Sequence, residues 1–234
     1  MKVVVYNDCY TGVRPHFGCD LVMRTFKEQF ERVDIEYIGS VSMQNRNPQA
    51  KLLEKADLVV VNGEGSFHHN RRNDIAEVSK YFPSILINTV YYNNQNIDLS
   101  KFKFVSARET RSANYAKCEV IPDIIFTSQI LSKLKYNPEK SLHTKLMHSG
   151  STSTLRPSPL VLPEIARAET LETESFHGIA VATILGLPIV KVHDGAGVPW
   201  KTHSLMSDIK QDANYVNNAR TKINNLFERL HDFQ

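Results

Sequence analysis

Several features missing from the sequence already narrow what it can be. Only three cysteines occur, Cys9, Cys19 and Cys118, an odd set with no CxxC spacing. That argues against both a disulfide framework and a structural zinc site. No apolar run approaches the roughly 18 residues of a membrane span. Met1 leads directly into a strand-like segment rather than into a signal peptide. Blocks of like charge are missing as well, and the formal net charge of +3 is too mild to point to nucleic acid. These absences lead to the expectation of a cytoplasmic protein with no membrane span and no nucleic-acid partner. What is present is ordinary for a folded chain: 234 residues, 41% hydrophobic and 23% charged. That is enough to bury one good core, or two small ones sharing a cleft.

Lys2 to Tyr6 (KVVVY) is a short apolar run suited to a buried parallel strand. From Cys19 the pattern turns helical, with Leu21, Val22, Phe26 and Phe30 on one face. A strand is expected over Val33 to Gly39, a helix over about Gln49 to Lys55, and a strand over Asp57 to Val61. A helix from about Asn73 to Tyr81 follows, then strands at Ser84 to Asn88 and Phe104 to Ala107. A helix from Glu109 to Lys117 and a strand from Glu119 to Ile121 complete the first half. Strands alternating with helices at this spacing predict an α/β unit with a mainly parallel sheet over residues 1–134. Residues 135–158, rich in Ser, Thr and Pro, read as a linker or surface loop with one short strand near Lys145 to His148. Residues 159–234 predict a small second α/β unit. Its expected elements are helices over Leu160 to Arg167 and HGIAVATIL, a strand at Ile189 to Val192, and helices over about Lys201 to Gln211 and Asn214 to His231. The last of these is expected to fold back on the first unit.

In an open parallel sheet, ligands bind beyond the carboxyl ends of the strands. The residues after each apolar run are therefore the candidates: Asn7 and Asp8, Asn62 to His69, Asn88 to Tyr92, Arg108 and Glu109, and Asp123. ADLVVVNGEGSFHHN is the densest of these stretches. Gly63 and Gly65 suit positive φ and a ligand close to the backbone, and successive N–H groups there can form an anion nest. The alternative is a plain strand-to-helix turn. No lysine completes a Walker loop, His68 stands where GxGxxG requires glycine, Ser66 lies outside the glycine pair of a hydrolase elbow, and HExxH is absent. His68 and His69, being adjacent, are expected to point apart and not to share a metal ion. A proton-transfer or phosphate-contacting role suits one of them better. In the first loop, His16 and Gly18 precede a helix whose N–H groups can receive an anion, and Cys19 is either a nucleophile or a small packing residue. Ser175 reads as an N-cap, with His177 in the first turn, where the positive helix end favours neutral imidazole. Tyr91 and Tyr92 suit either sugar stacking or packing.

Together these segments resemble the polysaccharide pyruvyl transferase family. Asn7, Asp8, His16, Gly18 and Cys19 are similar to its ND…HxGC pattern, and ADLVVVNGEGSFHH resembles its strand and NGEGT(x)HH turn. VSARETRSANYAKCEVIPD is similar to VSVRExxS…VPD through Arg108, Glu109, Ser112, Pro122 and Asp123. TESFHGIAVATILGLPIV resembles TGRFHGxxxAxxxGxP, and WKTHSLMSDI resembles the helix that follows, so order is kept from Lys2 to Ile209. The resemblance implies two Rossmann-like domains facing across a cleft in the GT-B manner, the C-terminal one reduced here. It implies transfer of a pyruvyl group from phosphoenolpyruvate to a sugar of a polysaccharide or glycan precursor as a ketal, without metal or cofactor. Substrate contacts are implied for Asn7, His16 and Gly18, for Asn62, Gly63, Gly65, Ser66, His68 and His69, and for Glu109, Asp123 and Ser175. His177 is implied as the proton donor and Glu64 or Asp8 as the base, with Arg108 and Lys201 on the donor's anionic groups. The family carries arginine where Ser175 stands, so an always-charged fork is missing. Either Lys201, Arg156 or Arg167 holds the donor, or the chain is a GT-B glycosyltransferase using a nucleotide sugar, or it is a non-catalytic sugar- or anion-binding relative.

Overall fold

The computed structural model describes residues 1–10, 15–42, 51–148, 154–195 and 197–234. Six strands form one parallel sheet: β1 (Lys2–Asp8), β2 (Glu36–Ser42), β3 (Leu58–His68), β4 (Ser84–Tyr92), β5 (Phe104–Ala107) and β6 (Glu119–Val120). Their order is β2-β1-β3-β4-β5-β6, a Rossmann-like α/β arrangement. A parallel sheet is covered on both faces, so its strands need consecutive rather than alternate apolar residues. Val3, Val5, Leu58, Val60, Ile85 and Ile87 accordingly face one core, while Val4, Tyr6, Val59, Val61 and Leu86 face the other. Helix α1 (Phe17–Arg32) covers the first face with Leu21, Val22, Phe26 and Phe30, the stripe expected from their spacing. The second face is covered by the 3₁₀ segment Asn73–Lys80 through Ile75 and Val78, and by Ala113 of α2 (Thr110–Ala116).

After the short helix α3 (Gln129–Lys133), a second sheet holds β7 (His143–Leu146), β8 (Thr170–Thr173) and β9 (Ile189–Val192), again parallel. Helices α4 (Ser158–Arg167) and α5 (Phe176–Leu185) make its crossovers, and α6 (Lys201–Gln211) and α7 (Tyr215–Glu228) follow. Leu146, Val161, Leu171 and Ile179 belong to the same buried cluster as Val3 and Phe26. Helix α7 returns to α1, with Phe227 at 6.3 Å from Phe26 and 5.5 Å from Phe30 between ring centroids. Buried Asp20 of α1 accepts hydrogen bonds from the N–H and hydroxyl of Ser158.

Several elements differ from expectation. β2 starts at Glu36 rather than Val33 because Asp34 turns left-handed at φ 54. β8 (TLET), with one apolar residue, and α3 carry too little periodicity to be read. Residues 51–53 are helical, but 49–50 of that expected helix lie outside the described residues, as do 149–153 of the expected linker. The strand expected at Lys145 to His148 lies at His143–Leu146. Among the described residues no helix is long and apolar enough to cross a membrane.

The largest correction concerns NGEGSFHH, which is not a strand-to-helix turn. β3 stays paired with β4 through Glu64 and Thr89, Phe67 and Tyr91, and His68 and Tyr92, with an irregularity between Glu64 and Phe67. Neither glycine has positive φ; the left-handed residue is Glu64, at φ 39. Gly63 is there for close approach. A Cβ at this position would meet Thr89 Oγ1 at 2.0 Å, whereas nothing lies within 4 Å of one at Gly65. Gly63→Ala is therefore expected to lose about 1–3 kcal/mol to overpacking, and Gly65→Ala to stay within about 0.5 kcal/mol of the parent. Urea midpoints check this, and equal losses at both positions would contradict it.

Candidate functional site

The strand order reverses between β1 and β3, so their carboxyl ends form the switch point at which open α/β sheets bind ligands. Three residues at that edge leave ordinary strand geometry: Asn7 at φ 69, Glu64 at φ 39 and Asn88 at φ 58. Each such residue costs of order 1–3 kcal/mol, and strain of this kind gathers at sites. The three asparagines on β1, β3 and β4 are linked in a row. Asn7 Nδ2 donates to the Asn62 carbonyl at 2.7 Å and to Ser66 Oγ at 3.2 Å. Asn88 Nδ2 donates to Asn62 Oδ1 at 3.0 Å, and Asn62 Nδ2 donates to Glu64 Oε1 at 3.0 Å. The other carboxylate oxygen of Glu64 accepts from the Cys19 thiol of α1 at 3.2 Å. Contact with Cys9 and burial push the Cys19 thiol well above its ordinary value, so it stays protonated and donates. Glu64 is thus held at both oxygens. Asn7 Oδ1 and Asn88 Oδ1 are buried without a hydrogen-bond partner among the described residues.

A second group comes from β5, β6 and α5. Arg108 Nη1 lies 2.8 Å from Asp123 Oδ2, both side chains being buried. The Arg108 guanidinium rests on the Phe176 ring at 3.9 Å. His177 Nε2 is 3.4 Å from Arg108 Nη1 and 3.3 Å from Asp123 Oδ2. Burial alone would raise the Asp123 carboxyl, but His177 and Arg108 outweigh it and hold it below the usual range. Ser175 is the N-cap of α5, its Oγ accepting the Gly178 N–H at 3.2 Å. That places His177 in the first turn, as expected. Its imidazole fills the space over Gly18, where a Cβ would lie 2.0 Å from Nδ1. His16 caps α1, Nδ1 accepting the Gly18 N–H at 3.1 Å. Lys201, buried at the start of α6, is pushed down to about 8 by burial and by Arg108, against the pull of Glu174 and Glu64.

Other sequence-predicted residues are engaged elsewhere. Asp8 turns toward β2, accepting the Ser40 hydroxyl at 2.7 Å and the Tyr10 N–H at 2.9 Å, while burial raises its carboxyl. Glu109 caps α2, accepting the N–H groups of Arg111 and Ser112 and the Ser204 hydroxyl. Arg156 and Arg167, expected as substitutes for the missing arginine, pair with Glu164 and Glu139. His68 and His69 do not point apart. A left-handed φ of 54 at His69 turns its ring back, so that the two Nδ1 atoms lie 2.8 Å apart, one donating and the other accepting. Burial, then the charges of His69 and Lys201, lower the His68 pKa. From His69 a row of rings runs to Tyr92 at 4.9 Å and on to Trp200 at 5.6 Å, with Arg111 over the indole at 4.5 Å. Sequence reasoning named Asn88 only as a strand-end candidate, and missed its link to Asn62, the Cys19 contact with Glu64, and Phe176 as the seat of Arg108.

No protein-family model matches the chain, and no curated protein sequence does. Among solved structures, the crystal structure of an uncharacterized protein from Klebsiella pneumoniae is similar, with a TM-score of 0.65 at 14% identity. The match covers 88% of this chain and 87% of that one. At that identity the likeness is one of fold.

Proposed function

We propose that this chain transfers a pyruvyl group from phosphoenolpyruvate to two hydroxyls of a sugar, forming a cyclic ketal. The proposal includes a GT-B-like arrangement in which the Glu64 edge faces the Ser175–His177 turn. The observation that carries it is that Lys201 and Arg108 are two buried cations, and that the charge of Arg108 adds to burial in depressing the lysine. An anion with both phosphate and carboxylate groups relieves that repulsion. Arg108 lies on Phe176, next to the position where the resembled family carries its arginine, and its Nε has no partner among the described residues. A fixed guanidinium is therefore available although residue 175 is serine.

In this reading the methylene carbon of phosphoenolpyruvate takes a proton from the His177–Asp123 pair, leaving an oxocarbenium centre at C2. A sugar hydroxyl attacks C2 and gives its proton to Glu64. The C2–O bond to phosphate then breaks, the phosphate leaving against Lys201 and Arg108, and the second hydroxyl attacks C2 to close the ring. The proton of that hydroxyl passes to the departing phosphate, while the proton on Glu64 returns to the His177 pair. Stabilisation against heat by phosphoenolpyruvate but not by UDP- or GDP-sugars, together with phosphate release when a glycan acceptor is added, is the expected result. The opposite stabilisation pattern would support a glycosyltransferase and overturn the proposal.

Lys201 also sets a pH dependence. It is protonated below about 8, so phosphoenolpyruvate affinity is expected to hold near neutrality and to fall as pH rises through about 8. Calorimetric titration from pH 6.5 to 9.5 on the parent and on Lys201→Met checks this, since the variant should bind weakly and show no such fall. Affinity that strengthens with pH would contradict it.

A further inference from the structure

The large sheet ends at β6, and beside that edge strand lies a cleft of about 550 Å³, a size that takes a small molecule. Tyr215, Asn218, Ala219 and Lys222 stand at i, i+3, i+4 and i+7 of α7 and form one wall. Val120 of β6 and Pro122 form a second. Asp208 and Gln211 of α6, with Asp212 just beyond them, form a third, and Thr110 of α2 completes the lining. Tyr215 is only 9% exposed, its ring fixed edge-on to Phe126 at 5.3 Å between centroids. Its hydroxyl is nevertheless without a hydrogen-bond partner among the described residues. Burial, then the charges of Asp208, Asp123, Glu109 and Asp212, push that hydroxyl's pKa up. It stays a neutral phenol in a field that favours positive charge.

The charges that line the cleft do not cancel. Asp208 and Asp212 share it with a single cation, Lys222, whose ammonium lies on the Val120 carbonyl at 3.4 Å. Asp208 Oδ2 accepts the Thr110 N–H at 2.9 Å. Asp212 accepts the Asn214 N–H at 2.9 Å and the Asn218 side-chain amide at 2.8 Å. Neither carboxylate is in an ion pair among the described residues. The carboxyl end of α6 adds the negative pole of its dipole. An anion finds no welcome at the start of α2, because Asp208 and Glu109 already take the N–H groups of Thr110, Arg111 and Ser112. A metal ion is disfavoured as well, since no three histidine, cysteine or carboxylate side chains among the described residues group to hold one. We propose that this cleft binds a small organic cation, a primary ammonium on a short apolar body. The ammonium meets Asp208 and Asp212, and the body packs on Val120, Pro122, Ala219 and the Tyr215 ring. The site is separate from the transfer reaction proposed above: Arg108, His177 and Lys201 take no part in its lining.

The test uses the whole chain and three probes of similar shape: 2-phenylethylammonium, 2-phenylethanol and 3-phenylpropionate, titrated by calorimetry at pH 7 and low salt. The cation is expected to bind, the alcohol to bind at least about tenfold more weakly, and the carboxylate to give no heat of binding. Asp208→Asn keeps an acceptor for the Thr110 N–H. That change and Asp212→Asn should each weaken the cation about tenfold, the worth of a hydrogen bond to a charged group. Lys222→Met removes a like charge and should tighten the cation about threefold, an effect in the opposite direction that lost structure would not produce. Raising the salt should weaken binding to the parent chain. If the asparagine variants do not fold, Lys222→Met, at an exposed position, and the three probes on the parent chain decide. The inference is overturned if the cation does not bind, or if the alcohol or the carboxylate binds as well as the cation does. It is equally overturned if both folded asparagine variants bind like the parent, if Lys222→Met fails to tighten binding, or if calcium or magnesium chloride displaces the cation at matched ionic strength. None of the probes is a substrate of the proposed transfer, so either reading can fail while the other stands.

Discussion

Replacing Arg108 with leucine is expected to destabilise the fold by about 3–5 kcal/mol, the loss seen when one partner of a buried ion pair is removed. Asp123 Oδ2, 2.8 Å from Arg108 and fully buried, would be left with His177, while Oδ1 would keep the Ile125 N–H. The Phe176 ring would lose the cation that covers it at 3.9 Å. Urea unfolding should show a lower midpoint with an unchanged slope. Asp123→Leu alone should be similarly damaging, whereas Arg108→Met combined with Asp123→Leu should recover much of the loss, because neither charge is then stranded. Single variants within about 1 kcal/mol of the parent would mean that solvent reaches the pair.

In the proposed transfer, His177→Ala is expected to lower turnover about 10²–10⁴-fold, the usual weight of a positioned acid or base, with little change in phosphoenolpyruvate affinity. Gly18→Ala should reproduce most of that loss from the other side of the contact. Its methyl would fall 2.0 Å from His177 Nδ1 and 2.4 Å from Cγ, which pushes the imidazole away from Asp123. The double variant should be no slower than His177→Ala alone, since both changes remove the same group. Full turnover in Gly18→Ala, or losses that multiply, would show that position 18 does not serve the histidine.

The sheet and its carboxyl edge were legible because parallel strands buried on both faces must be written as continuous apolar runs. The edge also carried a signal that was readable and went unused. Val3–Tyr6, Leu58–Val61 and Ile85–Ile87 each end at an asparagine, Asn7, Asn62 and Asn88, and those three form the row beside Glu64. Asn88 was read as the end of its strand, yet β4 continues four residues beyond it, and its link to Asn62 across the strands has no local signature. Gly63 was misread for a related reason. Glycine signals either an unusual φ or a close neighbour, and only the strand opposite, with Thr89, decides between them. The Cys19 bond to Glu64 joins residues 45 positions apart, and no local pattern announces such a pair. The capping roles of Ser175 and Glu109 depend on short-range spacing; Ser175 was read as a cap, and Glu109 as a strand-end candidate and implied substrate contact rather than as a cap.

The row from His68 through His69, Tyr92 and Trp200 to Arg111 couples two properties that an engineer would want to vary separately. Trp200 immediately precedes Lys201, and a Cβ at Gly197 would lie 3.1 Å from His68 Nε2, so the segment that delivers the lysine is moulded to these rings. Reshaping the rim to admit a bulkier partner would also displace the lysine's charge. At this edge, selectivity and charge placement are a single design variable.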